Sequence, residues 1–579
     1  MDFTEDWGLY QQGIDYKMKL NLFNTVNRNE GYYAGHQWDG VDTGGLPKVS
    51  LNVTKRIINF KVSQVMSDML TMQFSADGSG DERLSQVASL LTDYAKTTWE
   101  RLKEDTLNEQ GLLDACLTGD AVSYFYWDET IDAGSGVMGD MAEELLDNVC
   151  YFPGNTSAPR PNDRLKPLQP YIILAFRKQV ADVKEEAEKY GASEQALQEI
   201  TSDADVSYQA GDMARKENDD GLKCTVILKL WPEDGIIHAR KSTRSVVIRP
   251  DWSTGLHRYP VAVMNWLPRK NSCHGESEAN ELIPNNVAIN KLMATMILWT
   301  MLNAYPKVIY DAQRIDEWNN DITQAIKVEG DVSGVAQYLQ PNGLPASVMQ
   351  LFRVLVEVTK DMAGANETAL GDDSVTKTAS GIIALQKASA LPLMTNKRRF
   401  SQWIEDKGLI WLDFWLTHYN TERTLSITGK NGDVMQVPFD GSLYNPAAFN
   451  LRIDVGASTQ YSDIQAIQTL DNWLAGKFVT FRQYLERIRN FHIVPDVDGL
   501  LDEQEQQETM AQNTEILYRL MEMFVLSLPP DMQSQLEALR ELDPKQYELQ
   551  VKQMIMGGGM NGMPGVQATA DGGAQQVPI

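Results

Sequence analysis

Residues 348–377 read VMQLFRVLVEVTKDMAGANETALGDDSVTK. Val348, Leu351, Phe352, Leu355 and Met362 recur at spacings of three, four and seven, which predicts a helix with one buried face. The polar, small-residue run from Gly364 to Lys377 predicts a loop. A second helical pattern runs from Thr378 to about Asn420. At 1.5 Å per residue it would reach roughly 65 Å. Pro392 interrupts it, and a kink is expected there because proline removes a backbone donor and clashes with the preceding turn. A long kinked helix behind a polar loop suits a subunit that packs lengthwise against copies of itself and holds the loop in a shared space.

The chain has 579 residues, 43 % hydrophobic and 23 % charged, with a formal net charge of −27 from 52 basic and 79 acidic side chains. That length accommodates several domains. The acidic balance argues against tight wrapping by nucleic acid, whose affinity for proteins comes largely from Lys and Arg on phosphates. It fits a protein that lets DNA pass without gripping it. Cys116, Cys150, Cys224 and Cys273 are scattered with no Cys-x-x-Cys, and read as reduced thiols. The start, Met1 to Asp6, is acidic and is not expected to be a secretory signal. The most apolar window, Met293 to Leu302, is too short to span a bilayer and is flanked by Asn290, Lys291 and Asn303, so no membrane contact is expected.

Residues 5–30 read as helical. Tyr32, Tyr33, Gly35, Gln37 and Trp38 lead to Leu46-Pro47 and Leu51-Asn52, then to a helix with Ile57, Ile58, Val62 and Val65 on its apolar side. Residues 84–118 carry another helical pattern ended by Gly119-Asp120, and Ala121 to Trp127 alternates as a strand. Gly134 to Gly139 formally matches Gly-x-Gly-x-x-Gly, but about six residues separate it from that strand and no helix opens at its third glycine, so it reads as a loop between strands. Tyr171 to Phe176 is a short apolar strand, and Val180 to Tyr190 a helix with an acidic outer face. Four strands follow, Cys224–Trp231, Ile236–Lys241, Ser245–Arg249 and Tyr259–Trp266. Arg240, Lys241, Arg244 and Arg249 form a basic cluster, either a solvated strand edge or a contact surface for a partner or phosphates. Then comes His274-Gly275-Glu276-Ser277, opening a helix with Asn285-Asn286, Ile289-Asn290 and, beyond it, Pro306. A hairpin over 424–439, a strand over 451–455 and helices from Asp463 to Met556 complete the pattern. The Gly-, Met- and Gln-rich end from Gly557 is expected to be disordered.

Catalytic and metal motifs are lacking. No Gly-x-x-x-x-Gly-Lys-Ser/Thr and no His-Glu-x-x-His occurs, Cys273-His274 is a poor zinc spacing, and Asp496-Val497-Asp498-Gly499 places its glycine too early for an EF-hand. No enzyme activity, catalytic residue, metal or cofactor is expected.

Two of these stretches resemble the portal proteins of tailed bacteriophages. Tyr33, Gly35, Gln37, Trp38, Pro47, Leu51 and Asn52 match a pattern in their N-terminal part. Gly275, Ser277, Ile289, Asn290 and Pro306 match a second, with Asn285-Asn286 where a Gln is usual. The resemblance implies an α+β, mainly helical portal-type fold with wing, stem, clip and crown, a long kinked helix and a small β-rich insertion. On that plan residues 1–178 are an N-terminal wing part, 179–200 a first stem helix, 201–268 a β-rich clip and 269–303 a second stem helix. Residues 304–346 are wing strands, 347–377 a helix and tunnel loop, 378–456 the long kinked helix with a wing hairpin, 457–556 a helical crown and 557–579 a disordered tail.

Further expectations follow from the resemblance. The chain would form a homo-dodecamer at one capsid vertex of the virion, assembled in the host cytoplasm with major capsid and scaffolding proteins. It would be the channel for packaging and ejection of double-stranded DNA and the docking site for the terminase motor and head–tail adaptor. Twelve copies at −27 each carry −324 formal charges, so phosphates would be repelled rather than held. Asp372, Asp373, Ser374, Val375, Thr376 and Lys377 would face the DNA, with Lys377 the transient phosphate contact; the plain reading of the same segment is an exposed surface loop. Arg240, Lys241, Arg244 and Arg249 would meet the motor or adaptor. The alternatives are another structural head–tail ring and a DNA-processing enzyme of the virion.

Overall fold

The computed structural model describes residues 3–68, 70–76, 82–132, 137–163, 166–203, 222–304, 308–318, 326–338, 345–364, 391–419, 423–428, 434–455, 469–488 and 497–557. They fall into two units, split between Thr459 and Gln460.

The first unit opens with α1 (Phe3–Lys19), α2 (Leu22–Ala34) and α3 (Val53–Val65), then β1 (Leu70–Ala76), α4 (Glu82–Leu102) and α5 (Glu104–Thr118). The two long helical patterns of the sequence are each broken by a residue in left-handed backbone, Asn21 (φ 55°) and Lys103 (φ 54°). Strands β2 (Asp120–Asp132), β3 (Met138–Leu146), β4 (Tyr151–Pro153) and β5 (Ile172–Gln179) lead to α6 (Val180–Lys189) and α7 (Glu194–Glu199). Then come β6 (Lys223–Glu233), β7 (Ile236–Ser242), β8 (Val247–Ser253), β9 (Val261–Asn265) and α8 (Glu278–Ala304). Strands β10 (Val308–Tyr310) and β11 (Ala336–Tyr338) precede α9 (Ala346–Met362), α10 (Met394–His418), β12 (Thr424–Thr428), β13 (Val434–Pro438) and β14 (Phe449–Val455).

Two sheets face each other. One has the antiparallel order β4-β5-β6-β7-β8, the other β3-β2-β9. Ile172, Leu174, Leu228, Leu230 and Ala239 of the first pack against Val122, Val261 and Val263 of the second. On its other face the larger sheet takes α1, through Tyr10 and Ile14 against Phe152, Ile173 and Ile227. Of the Gly134–Gly139 stretch, residues 134–136 lie outside the described residues, and Met138 and Gly139 open β3, which pairs antiparallel with β2, Asp132 opposite Met138.

The four strands expected over 224–266 are present between α7 and α8, and they share their sheets with earlier strands. Strands β6 to β8 extend the sheet that β4 and β5 begin, and β9 pairs with β2. The reason is burial: β5 over Ile172–Ala175 and β6 over Cys224–Leu230 are buried on both faces, so each is covered on both sides. Helix α6 has ten residues and packs Val183 and Ala187 onto Cys224, Val226 and Ile248; it is not half of a long helix pair. Helix α8 instead packs against α9, with the short β10–β11 sheet lying between them in sequence.

Helix α10 runs through the core. Trp403, Ile404, Trp411, Trp415 and Leu416 are among its buried residues, meeting α3, α4, β1, β9 and β14. A 3-10 turn, Leu391–Leu393, contains Pro392 and precedes it. The portion of the long pattern before Leu391 lies outside the described residues. Gly408 lets the helix sit close to its neighbours: a Cβ there would lie 2.5 Å from the Leu451 side chain. The second unit contains α11 (Phe481–Ile488), α12 (Val497–Leu526), α13 (Pro530–Leu542) and α14 (Pro544–Gly557). The last three share a core of Met521, Leu536, Tyr547 and Val551.

One polar cluster is sealed inside the first unit. The Lys407 ammonium donates to Glu104 Oε2 and Asn108 Oδ1, both at 2.9 Å. It lies 2.6 Å from Glu143 Oε1, with all three charged side chains 0 % exposed. Burial alone would lower the Lys407 pKa, but the two carboxylates outweigh it and carry it upward. Burial pushes Glu104 well up, while Lys407 and the bond to Glu104 hold Glu143 down against its own burial. Glu143, held down, is thus an anion whose counter-charge is Lys407. Lys407→Met leaves that anion without a cation, and a loss of about 3–5 kcal/mol in urea unfolding is expected. Adding Glu104→Gln and Glu143→Gln should recover part of it; a single variant as stable as the wild type would contradict this account.

Candidate functional site

The residues of the two sequence patterns converge on one polar seam. Gln37 Oε1 accepts from Asn286 Nδ2 at 2.8 Å and from Asn290 Nδ2. Asn290 Oδ1 accepts from the Leu51 amide at 2.9 Å, and Asn286 Oδ1 from the Val53 amide at 3.1 Å. Asn52 caps α3 by accepting from the Lys55 amide and donates to the Tyr32 and Tyr33 carbonyls. Trp38 donates to the Val49 carbonyl. Gly35, at φ 101°, ends α2. Thus the α2–α3 connection is hydrogen-bonded onto the first half of α8. The aromatics Tyr32, Tyr33 and Trp38 serve packing and hydrogen bonding here. Asn286, standing near the usual Gln position, supplies its own amide to the seam. Pro306 lies outside the described residues.

The second pattern closes the seam from below. Asp120 accepts from the Gly275 amide at 2.7 Å, Asn265 Nδ2 at 2.6 Å and His274 Nδ1 at 2.7 Å. A Cβ on Gly275 would lie 2.7 Å from the Gly119 carbonyl oxygen, so only glycine fits this crossing. Ser277 Oγ accepts from Asn29 Nδ2 at 2.8 Å. Lys61 and Trp266 both donate to Glu278. The base of α8 is therefore locked to α2, α3 and α5.

Away from this base, α8 and α9 are differently placed. Val348, Phe352 and Leu355 are half-buried and Thr359 is buried. Leu351 is 54 % exposed and Met362 78 %, so the expectation that the whole stripe forms one buried face is corrected. Gly364, just after α9, lies within 4 Å of Pro392 at the foot of α10, measured from an ideal Cβ position. The chain thus leaves α9 and re-enters α10 at one place. Asp372, Asp373, Ser374, Val375, Thr376 and Lys377 lie outside the described residues.

The basic cluster is not one free surface. Arg240 is 6 % exposed and bonded to Asp6 and Asp251. Lys241 donates to Glu186, and burial lowers its pKa to about 8 despite that carboxylate. Arg249 is half-buried, its guanidinium 3.9 Å from the centre of the Trp252 ring and 4.6 Å from that of Tyr190. Arg244 is exposed, in the turn between β7 and β8. Strand pairing explains the difference: β7 is interior to the sheet, so its basic side chains meet acidic partners on covering elements.

A model of the phage P22-like portal protein family matches residues 233–533, just over half of the chain. No curated protein matches it. Among solved structures, one titled "Virion of native gene transfer agent (GTA) particle" contains a chain 11 % identical with a TM-score of 0.35; the match covers 82 % of this chain and 94 % of that one.

Among the described residues no group of three or more His, Cys, Asp or Glu is placed to hold a metal. Sequence reading missed the buried ionic groups, above all Lys407 with Glu104 and Glu143, and Asp120 with His274. Cys273, His274 and Asp120 lie side by side but are almost wholly sealed, so they hold the fold and offer no route to a substrate. Burial alone would lower the His274 pKa; the Asp120 carboxylate outweighs it and carries it up to about 9. Lys17, donating to the Asn148 and Val149 carbonyls, is lowered by burial to about 7. A group raised on folding stabilises fully below its unfolded pKa, near 6.5 for histidine, and the contribution fades as pH rises through the folded value. Lys17 works oppositely over an overlapping range, so the test is a difference. The stability gap between wild type and His274→Gln in urea unfolding should shrink between pH 6.5 and 9. A gap independent of pH across that range would contradict the assignment.

Proposed function

The chain belongs to the phage P22-like portal protein family, whose members are structural proteins of the virion rather than enzymes, and we propose that it is the portal ring itself. In this reading identical copies close around an axial hole at one capsid vertex, twelve of them as the family resemblance implies. Double-stranded DNA passes through the hole during packaging and ejection. The terminase motor, and later a head–tail adaptor, dock on the ring, and major capsid and scaffolding proteins surround it. The observation that carries the reading is the family match over residues 233–533.

Two physical features support it. The net charge of −27 per chain makes an assembled bore repel phosphate, so a duplex slides without a binding well to climb out of at each step. The adjoining ends of α9 and α10 would let residues 365–390 leave and return at a single point of each subunit. Asp372 to Lys377 is then the segment facing DNA, with Lys377 its transient phosphate contact. The α8–α9 pair, rather than 179–200 with 269–303, takes the part of the stem, and 305–345 takes the part of the clip. Motor docking at the basic cluster falls to Arg244, with Arg249 beside it, since Arg240 and Lys241 are engaged internally.

Deleting residues 372–377 should lower DNA packaged per head at least tenfold while rings still form. Arg244→Glu should weaken terminase docking in a pull-down with purified motor. Packaging at the wild-type level by the deletion would sink the loop's role, and docking unchanged by Arg244→Glu would remove that contact.

A further inference from the structure

Two stretches of the chain carry basic residues and no acidic ones. Residues 43–67 hold Lys48, Lys55, Arg56 and Lys61, and residues 374–404 hold Lys377, Lys387, Lys397, Arg398 and Arg399. In a chain of net charge −27 such runs need a reason. The fold brings them together. Helix α3 packs against the 3-10 turn Leu391–Leu393 and against α10. Lys397 donates to Ser67 Oγ at 2.8 Å and to Asp68 Oδ1 at 2.9 Å, fastening the first turn of α10 to the segment just past α3. Burial of α3 is one-sided. Ile57, Ile58, Val62 and Val65 are buried, and Lys61 is buried against Glu278. Lys55, Arg56, Asn59 and Ser63 lie exposed on the other side. Lys48 and Arg398 are exposed as well. Lys55 stands over the Tyr33 ring, 5.0 Å from its centre. Among the described residues no carboxylate pairs with Lys48, Lys55, Arg56 or Arg398, whereas Arg240 and Lys241 are engaged internally.

We infer that this acid-free face, Lys48, Lys55 and Arg56 with Arg398, contacts the sugar–phosphate backbone of double-stranded DNA. This rests on the ring reading, which brings DNA past residues 365–390. Those residues leave and return where Gly364 meets Pro392, and Pro392 belongs to the turn that α3 packs against. The chemistry of the face fits phosphate. Lysine and arginine supply charge, and Asn59 and Ser63 add neutral hydrogen-bonding groups, the side-chain types that position a duplex without reading its bases. Contacts of this kind are alike at every base pair, so they steady a duplex without fixing its register. They are local on an acidic molecule, and their strength falls steeply with salt.

An acidic protein surface, a second copy included, is the other occupant of such a face. Protein contacts draw most of their strength from large side chains seated in dry pockets. Among the described residues no large apolar side chain between Val41 and Met138 in sequence is exposed. The face therefore offers charge and hydrogen bonds alone, which suits a polyanion.

The test uses the full chain and a short linear duplex, with binding followed by fluorescence anisotropy over a salt series. Lys55→Gln, Arg56→Gln and Arg398→Gln together should raise Kd at least tenfold at about 0.05 M salt and flatten the slope of log K against log salt by about one or more. Lys19→Gln, Lys96→Gln and Lys545→Gln together remove the same charge elsewhere and should bind within about twofold of the wild type. All six positions are exposed, so circular dichroism and urea unfolding should match the wild type. Lys55→Arg, Arg56→Lys and Arg398→Lys together should bind as the wild type. An affinity and salt slope unchanged in the first variant would overturn the inference. An equal loss in the first two variants would also overturn it, since overall charge alone would then matter. So would a first variant that keeps DNA binding and loses assembly, because a second copy would then be the occupant. The ring reading survives each of these results. It fails on light scattering of the same samples, where a wild type that stays solitary would overturn it and this inference with it.

Discussion

A lysine with no access to water is the constraint around which the first unit is arranged. Lys407 sits mid-way along α10, between Trp403 and Trp411 in sequence, and can remain charged only if an anion is brought to it. Glu104 opens α5 and Glu143 lies in β3, so satisfying one ammonium fixes a helix and a strand against the central helix. Two further carboxylates repeat the device. Asp413 accepts from the His257 and Arg258 amides and ties the β8–β9 connection to α10. Asp140 accepts from Tyr419 just beyond the helix end at 2.7 Å, with Arg101 3.2 Å away. Such groups add little net stability compared with apolar replacements, but each is costly to mismatch. They make the placement of α10 specific.

The contrast with α8 and α9 gives the structure its functional sense. The base of α8 is tied down by amides and by Glu278, whereas its free end and α9 present apolar side chains to water. A subunit made this way is complete in its body and incomplete along its hairpin. That combination fits a member of a ring, where rigid bodies set the geometry and the apolar surfaces between them supply cohesion against mutual repulsion.

Much of this was legible in the sequence, and the failures have physical causes. Gly119 marked the end of α5, and period-two alternation located β6 to β9; Pro392 was read as a kink within a helix from Thr378, whose part before Leu391 lies outside the described residues. Which strands pair could not be read, because pairing is non-local: β9 joins β2 more than a hundred residues earlier. The stripe from Val348 to Met362 was correctly helical, but periodicity reports which face is apolar and not whether the same chain covers it. The pattern residues Gln37, Asn52, Gly275 and Asn290 were singled out without their roles, which emerge only when α2, α3 and α8 come together. Lys407 was passed over as an ordinary charge within a helix. Its neighbours offered a signal, with Trp403 and Trp411 one turn away on either side and Ile404, Gly408 and Ile410 between them.

The central claim is that the body is held by buried polar anchors while the α8–α9 hairpin stays bare until copies meet. Hydrogen exchange followed by mass spectrometry, on dissociated and assembled protein, reads both halves at once. The account predicts that peptides over 404–416 are the slowest to exchange in either state. Peptides over 346–362 should exchange quickly in the dissociated chain and become strongly protected on assembly. Protection of 346–362 that is the same in both states, or a core around Lys407 that exchanges as fast as the hairpin, would contradict it.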